Sequence, residues 1–126
     1  MGLRIETLTI DAVDPEALAA FWCAALGWSQ RVDEDGDIWL DPGDGHPDAG
    51  IVRPLLIVRV PEAKAGKNRL HLDLVPDDQE REVERLEALG ATRPNIGQTG
   101  NESWVVLADP EGNEFCVLDE PDLPED

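Results

Sequence analysis

Two short segments of the chain alternate apolar and polar residues, and each is followed by a stretch with helical periodicity. Residues 7–10 read Thr-Leu-Thr-Ile, and residues 70–74 read Leu-His-Leu-Asp-Leu. A period of two is typical of a strand with one buried face, so we predict a strand at each place, with its apolar side packed on a helix. The polar side chains then share the opposite face of the sheet: Thr7, Thr9, His71 and Asp73.

The first helical stretch carries signals at both ends. Asp14 is a suitable N-cap, Pro15 fits the first helical position, and Gly27 suits the left-handed residue that ends a helix. The residues of its apolar stripe, which we expect to pack on the sheet, are Leu18, Phe21, Trp22, Ala25 and Leu26.

The second helical stretch has the same kinds of ends. It starts at Asp77 or Asp78 and ends at Gly90. Its predicted buried positions are Val83, Leu86 and Leu89, and the charged remainder is typical of a solvated face.

The two halves of the chain repeat one order of elements. The helix starts Asp14 and Asp77 are 63 positions apart (77 − 14), and so are the helix ends Gly27 and Gly90 (90 − 27). A repeat of this length indicates two copies of one supersecondary unit.

Each half reads as a strand, a helix and three further strands, closing with similar turns that begin Asp-Pro at 41–45 and at 109–113. We therefore predict a single α+β domain of paired βαβββ modules. The modules occupy about 3–60 and 68–119, and an acidic C-terminal tail covers 119–126.

The composition excludes several classes of partner. The 126 residues contain 28 acidic and 10 basic side chains, for a formal net charge of −18, so we expect binding neither to nucleic acid nor to an anionic membrane surface. The longest apolar run, 17–28, has 12 residues, whereas a membrane-spanning helix needs about 20. Two cysteines favour a reducing compartment, and we expect a cytoplasmic protein.

Three runs resemble the glyoxalase/bleomycin-resistance/dioxygenase proteins, the vicinal oxygen chelate superfamily: residues 20–28, 66–73 and 109–118. The chain looks most like the compact glyoxalase-like domain proteins of that group, over about 5–118. The resemblance implies a cup-shaped mixed sheet formed by the paired modules, a small-molecule ligand in the cup, and assembly as a homodimer.

The resemblance also implies four metal-ligand positions, one on the first and one on the last strand of each module, usually filled by His, Glu, His and Glu. They fall on Thr7, on one of the apolar residues 55–58, on His71 and on Cys116. Since zinc needs four good donors, or three and a water, we predict that the usual metal site is absent and that the protein holds no cofactor.

The predicted cup face collects the candidate site residues. His71 and Glu114 are candidates for a general base, although His71 can equally be a hydrogen-bond anchor or a core histidine, and Glu114 an ordinary half-exposed carboxylate. Asp73 either tunes His71 or is structural, and Cys116 is by default a small buried hydrophobe. The full set of predicted ligand-binding residues is Thr7, Thr9, Trp39, His71, Asp73, Trp104, Glu114 and Cys116.

Aromatic and basic residues leave two further alternatives. Trp39 and Trp104 lie on the middle strands of their modules, where they form either an aromatic wall for a ligand or part of the core. Half of the basic residues fall in 53–69, either as a site for an anionic ligand or as partners of the acidic tail, and we favour the pairing. These five are Arg53, Arg59, Lys64, Lys67 and Arg69.

Three functions are compatible with these patterns. The first is a small-molecule-binding protein without the usual metal, acting as a binding and sequestering protein of the resistance type or as a metal-independent enzyme. The second is a metal-dependent lyase, isomerase or dioxygenase that uses His71 with atypical ligands. The third is an interaction module whose cup is filled by its own tryptophan side chains.

Overall fold

The computed structural model describes residues 2–94 and 103–119, which form two units that meet in the sequence between Lys64 and Ala65. The elements of the first unit are β1 (Leu8–Ala12), α1 (Pro15–Leu26), β2 (Ser29–Val32), β3 (Ile38–Asp41) and β4 (Leu55–Arg59). Those of the second unit are β5 (Asp73–Leu74), α2 (Gln79–Leu89), β6 (Val105–Ala108) and β7 (Glu114–Val117). The mixed α+β class is as predicted.

Both helices have the predicted caps. The Asp14 carboxylate accepts a hydrogen bond from the Ala17 N–H at 3.2 Å, and Gly27 ends α1 in the left-handed conformation with φ of 71°. At α2 the cap is Asp78 rather than Asp77, because the Asp78 side chain accepts from the Arg81 N–H. Each cap satisfies a backbone donor that the helix itself leaves unpaired.

The first unit has a four-stranded sheet in the order β1-β4-β3-β2, with β1 parallel to β4 and the other pairs antiparallel. Its buried core combines the α1 side chains Leu18 and Trp22 with Leu40 and Ile57 from the sheet. Alternation then turns the next residues of each strand to the opposite face, where Thr9, Leu56 and Trp39 are neighbours in register.

The second unit has a three-stranded sheet in the order β5-β7-β6, with β5 parallel to β7 and β6 antiparallel to it. Asp73 is opposite Cys116 in this register, and Cys116 is opposite Val106. An isolated bridge between Thr92 and Ala108 follows α2, where the second strand of this module was predicted, and residues 95–102 fall outside the described part of the chain.

The leading strand of the second unit is shorter than predicted. It covers two residues instead of 70–74, and Leu70 is 81% exposed rather than packed on a helix. The backbone bonds to β7 begin at Leu72, whose carbonyl accepts from the Cys116 N–H at 2.9 Å. Leu70 lies before this bond and outside the strand.

The buried apolar face of each helix is also narrower than predicted. Leu89 is 38% exposed, because steps of three from Val83 through Leu86 carry it about 120° around the helix axis. On α1, Leu18, Phe21 and Trp22 are buried as expected. The last two residues of its predicted stripe, Ala25 and Leu26, are half-buried.

The turn between β6 and β7 depends on a buried aspartate. Asp109 is 3% exposed, and its Oδ1 accepts from the backbone N–H groups of Glu111 and Asn113, both at 2.9 Å. The Asn113 side-chain amide donates to the same carboxylate. In the first unit this backbone pattern recurs over 33–37, around Asp33, rather than in the predicted counterpart at 41–45.

Among the described residues, no helix has the length and apolar character required to cross a membrane.

Replacing Asp109 with alanine should lower the free energy of unfolding by about 2–4 kcal/mol, since buried donors lose an ionised acceptor. Urea unfolding followed by tryptophan fluorescence measures the loss. Asp44→Ala, an exposed aspartate in another turn, is the matched control and should cost less than about 0.5 kcal/mol. Equal losses in the two variants would contradict the role of Asp109.

Candidate functional site

A cavity of about 350 Å³ lies in the second unit. Its polar wall consists of Lys67, His71, Asp73, Glu114 and Cys116. Its apolar wall consists of Trp104, Val106, Phe115 and Leu118. A mainly apolar hollow with a few converging polar groups is the usual form of a small-molecule site.

Strand pairing brings the polar wall together. Alternation along β7 turns Glu114 and Cys116 to one side of the sheet, with Leu118 following at the same spacing. The parallel pairing of β5 with β7 then sets Asp73 beside Cys116. His71 precedes Asp73 by two residues and so lies on the same side.

His71 and Asp73 form a hydrogen-bonded pair. The imidazole Nδ1 lies 2.9 Å from the Asp73 Oδ1. An ionised carboxylate only accepts hydrogen bonds, so Nδ1 carries the proton and donates it. In the neutral ring Nε2 then holds a lone pair, which makes it a hydrogen-bond acceptor or a proton acceptor. Because both side chains are about half exposed, the pair contributes more to orientation than to stability.

Cys116 is a buried thiol whose pKa is raised. Burial raises its pKa, and the negative charge of Asp73 and a hydrogen bond with that carboxylate raise it further, while the Lys67 ammonium acts in the opposite direction. The pKa of Cys23 on α1 is also raised by burial. A raised pKa keeps the thiol protonated at neutral pH, and a protonated thiol is a poor nucleophile.

Glu114 is 7% exposed and binds the backbone of the segment that precedes β5. Its carboxylate accepts a hydrogen bond from the Asn68 backbone N–H, at 3.1 Å to Oε2. This bond ties the segment before His71 to β7. The interpretation of Glu114 as an ordinary half-exposed carboxylate is wrong, since the side chain is buried and bonded.

Three of the predicted ligand residues belong to the first unit and are described by their contacts within that unit. The Thr7 hydroxyl donates to the Pro54 carbonyl at 2.6 Å, and Thr9 is exposed on β1. The Trp39 indole N–H donates to Asp33 at 2.9 Å, and this hydrogen bond is the main cause that lowers the pKa of Asp33. The Arg31 guanidinium lies 5.2 Å from the Trp39 ring centre.

The cavity also includes residues that the sequence interpretation did not single out as ligand contacts. Val106 and Leu118 follow Trp104 and Cys116 by two positions, so strand alternation was the available signal. Lys67 was noted only as one of a basic cluster, and no periodicity connects it to His71. Trp104 itself precedes β6 rather than lying within it.

The basic cluster divides among different partners. Arg59 forms two hydrogen bonds with the Glu16 carboxylate, at 2.8 and 2.9 Å, and Arg53 donates to the Glu6 carbonyl at 2.8 Å. Lys67 lines the cavity. Most of the acidic tail, residues 120–126, falls outside the described residues, so the predicted pairing with it stays a prediction.

Comparison with known proteins gives the class. A family model for the glyoxalase-like domain matches residues 7–118, so the chain belongs to that family, within the vicinal oxygen chelate superfamily. A search of curated proteins gave no match.

Solved structures share the fold at low identity. The fosfomycin resistance protein FosX from Mesorhizobium loti is 17% identical, with 96% of this chain and 94% of that chain covered and a TM-score of 0.67. A glyoxalase/bleomycin resistance/dioxygenase family enzyme from Burkholderia phytofirmans is 21% identical, with 89% and 94% covered and a TM-score of 0.65. A hypothetical protein, SA1046 from S. aureus, is 15% identical, with 94% of each chain covered and a TM-score of 0.66.

The superfamily's usual four-ligand metal site does not fit the residues at those positions. The Thr7 hydroxyl is already bonded to a carbonyl, and the residues of β4 on the same face as Thr9 are apolar. The fourth position carries the Cys116 thiol in place of a carboxylate, which leaves His71 as the one position of the four with the usual ligand. A different set, His71 with Asp73 and Cys116, has donor atoms within 4.8 Å of one another.

The Asp73→Asn variant tests the electrostatics of the thiol. Removing the carboxylate charge lowers the pKa of Cys116, so alkylation by iodoacetamide at pH 8 should become several-fold faster. The rate is measured in a Cys23→Ala background, so that Cys116 is the reacting thiol. Lys67→Ala is the control and should slow the reaction, because it removes the charge that favours the thiolate. An unchanged rate in Asp73→Asn would contradict this interpretation.

Proposed function

We propose that the protein binds a small organic molecule in the cavity of the second unit and does so without the superfamily's usual metal. The observation that carries the proposal is the His71–Asp73 pair on the wall of a cavity of about 350 Å³. That volume is within the range of ligand pockets, roughly 300–1,000 Å³. The protein acts as a binding and sequestering protein of the resistance type or as a metal-independent enzyme.

The polar and apolar walls have separate roles in this proposal. His71 Nε2 accepts a hydrogen bond from the ligand, and Asp73 fixes the ring so that Nε2 is the accepting atom. Trp104 supports an apolar part of the ligand. In the enzymatic form His71 is the general base, since Glu114 already holds the Asn68 N–H.

Two observations favour this proposal over a module filled by its own tryptophans. Trp104 is 42% exposed beside the cavity instead of filling it, and the Trp39 indole bonds to Asp33 within the first unit. The similar structure from Mesorhizobium loti is a fosfomycin resistance protein, which supports a resistance-type role.

The proposal includes a cytoplasmic homodimer. Leu3, Ile5 and Leu70 are each more than three-quarters exposed, and apolar side chains left this open favour burial against another chain.

The His71→Ala variant should bind a cavity ligand about 1–3 kcal/mol more weakly, roughly 5- to 150-fold in Kd, because the ligand's donor loses its acceptor. The ligand comes from a thermal-shift screen of metabolites and antibiotics, in which binding to the native state raises Tm. Calorimetry then gives Kd for each variant. Glu84→Ala, an exposed change on α2, is the control and should leave Kd unchanged.

An unchanged Kd in His71→Ala would assign His71 a purely structural role. Because His71 is exposed and lies outside the buried core, the variant should fold. Failure to fold would therefore also assign His71 a structural role.

One observation favours a second candidate function, a metal-dependent lyase, isomerase or dioxygenase. The donor atoms of His71, Asp73 and Cys116 lie within 4.8 Å of one another. The solved structure of the fosfomycin resistance protein FosX from Listeria monocytogenes is a complex with Mn(II). The donor set here contains a thiol and only one carboxylate, which differs from the oxygen-rich set that hard cations prefer.

Elemental analysis separates the two candidates. Protein purified without chelator should carry no stoichiometric nickel, zinc, iron or manganese, because His71 is the one position of the usual four that has the usual ligand. About one ion per chain, lost in His71→Ala, would contradict the metal-free proposal and favour the second candidate. His46→Ala is the control for that loss, since His46 belongs to the first unit.

A further inference from the structure

The polar wall of the cavity contains two carboxylates, Asp73 and Glu114, and the accepting ring nitrogen of His71. We infer that the cavity selects a protonated amine carried on a small planar apolar body. The inference rests on the proposed function and names the class of ligand. It follows from three properties of the wall: the fixed ring of His71, the balance of charge, and the exposed indole of Trp104.

The first property is the direction of hydrogen bonding. Asp73 takes the Nδ1 proton of His71, so the remaining ring nitrogen of the neutral imidazole accepts. An ionised carboxylate has about four acceptor sites, so Asp73 keeps acceptor capacity beyond its bonds with His71 and the Cys116 thiol. A ligand that meets these atoms needs N–H or O–H groups, and an ammonium group supplies three.

The second property is charge. Among the described lining residues, two carboxylates, Asp73 and Glu114, and one ammonium, Lys67, give a formal charge of −1. The Lys67 Nζ lies 3.5 Å from the Asn68 carbonyl, so one N–H of this ammonium is directed at the backbone rather than at a ligand. The whole chain carries a formal charge of −18, which also attracts cations and repels anions.

The third property is the apolar wall. Trp104 is 42% exposed, with Val106 and Leu118 beside the same cavity. A planar hydrocarbon body buries apolar area against these residues. An indole also attracts a nearby cation through the negative charge of its ring face. Both effects favour an alkylammonium group carried one carbon away from an aromatic or similarly flat group, where the amine stays protonated at neutral pH.

Three probes of nearly equal size test the inference: benzylamine, benzyl alcohol and benzoate. Each is titrated at pH 7 into the isotopically labelled full chain, and the indole N–H signal of Trp104, assigned with Trp104→Phe, reports binding. Benzylamine should bind about tenfold more tightly than benzoate, with benzyl alcohol between them, because charge complementarity separates the three.

Two variants show whether the wall charges set this order. Asp73→Asn keeps an oxygen acceptor for His71 while removing one negative charge, so benzylamine should weaken several-fold and benzoate should strengthen. Lys67→Ala is the matched opposite change and should further weaken benzoate. The ranking in the unmodified protein is an independent test if either variant folds poorly.

Benzoate as the tightest probe, or benzylamine and benzoate affinities that Asp73→Asn leaves unchanged, overturns the inference and leaves the proposed function standing, because a small molecule still occupies the cavity. No response to any probe also overturns the inference. In that case the wider thermal-shift screen decides the proposed function, which survives if a ligand of different chemistry moves the Trp104 signal and fails if none does.

Discussion

The parallel pairing of β5 with β7 is the constraint on which the candidate site depends. It aligns Asp73 with Cys116, and the two backbone bonds from β7 to Leu72 and Leu74 hold that register. A shift by one residue would turn every side chain of β5 to the other face of the sheet. His71 would then leave the cavity wall together with Asp73, and the thiol would lose its charged neighbour.

The sequence predicts most of the fold because its local signals are strong. Asp14, Gly27 and Gly90 each carry a capping preference that neighbouring structure did not override. The exposure of Leu70 and the choice of Asp78 over Asp77 were not predictable in this way. Both depend on backbone hydrogen bonds that a pattern of apolar residues does not specify, since the pairing with β7 begins at Leu72 and the Arg81 N–H bonds to Asp78.

The candidate site was predictable in part for the same reason. Alternation correctly placed His71, Asp73, Glu114 and Cys116 on one side of their strands, and all four line the cavity. The hydrogen bond of Glu114 to the Asn68 N–H and the position of Lys67 come from the segment before β5, which has no periodicity. Thr7 and Trp39 followed the alternation too, but their polar atoms bond within the first unit.

Asp73 serves two side chains at once, since His71 donates to it and Cys116 responds to its charge. Substitutions at positions 71 and 116 are therefore epistatic, because each changes what the shared carboxylate does for the other. A lineage that replaced Cys116 with a bulkier or charged residue would alter the orientation of His71 without touching it. The permitted sequences at these three positions are thus a set of compatible triplets rather than three independent choices.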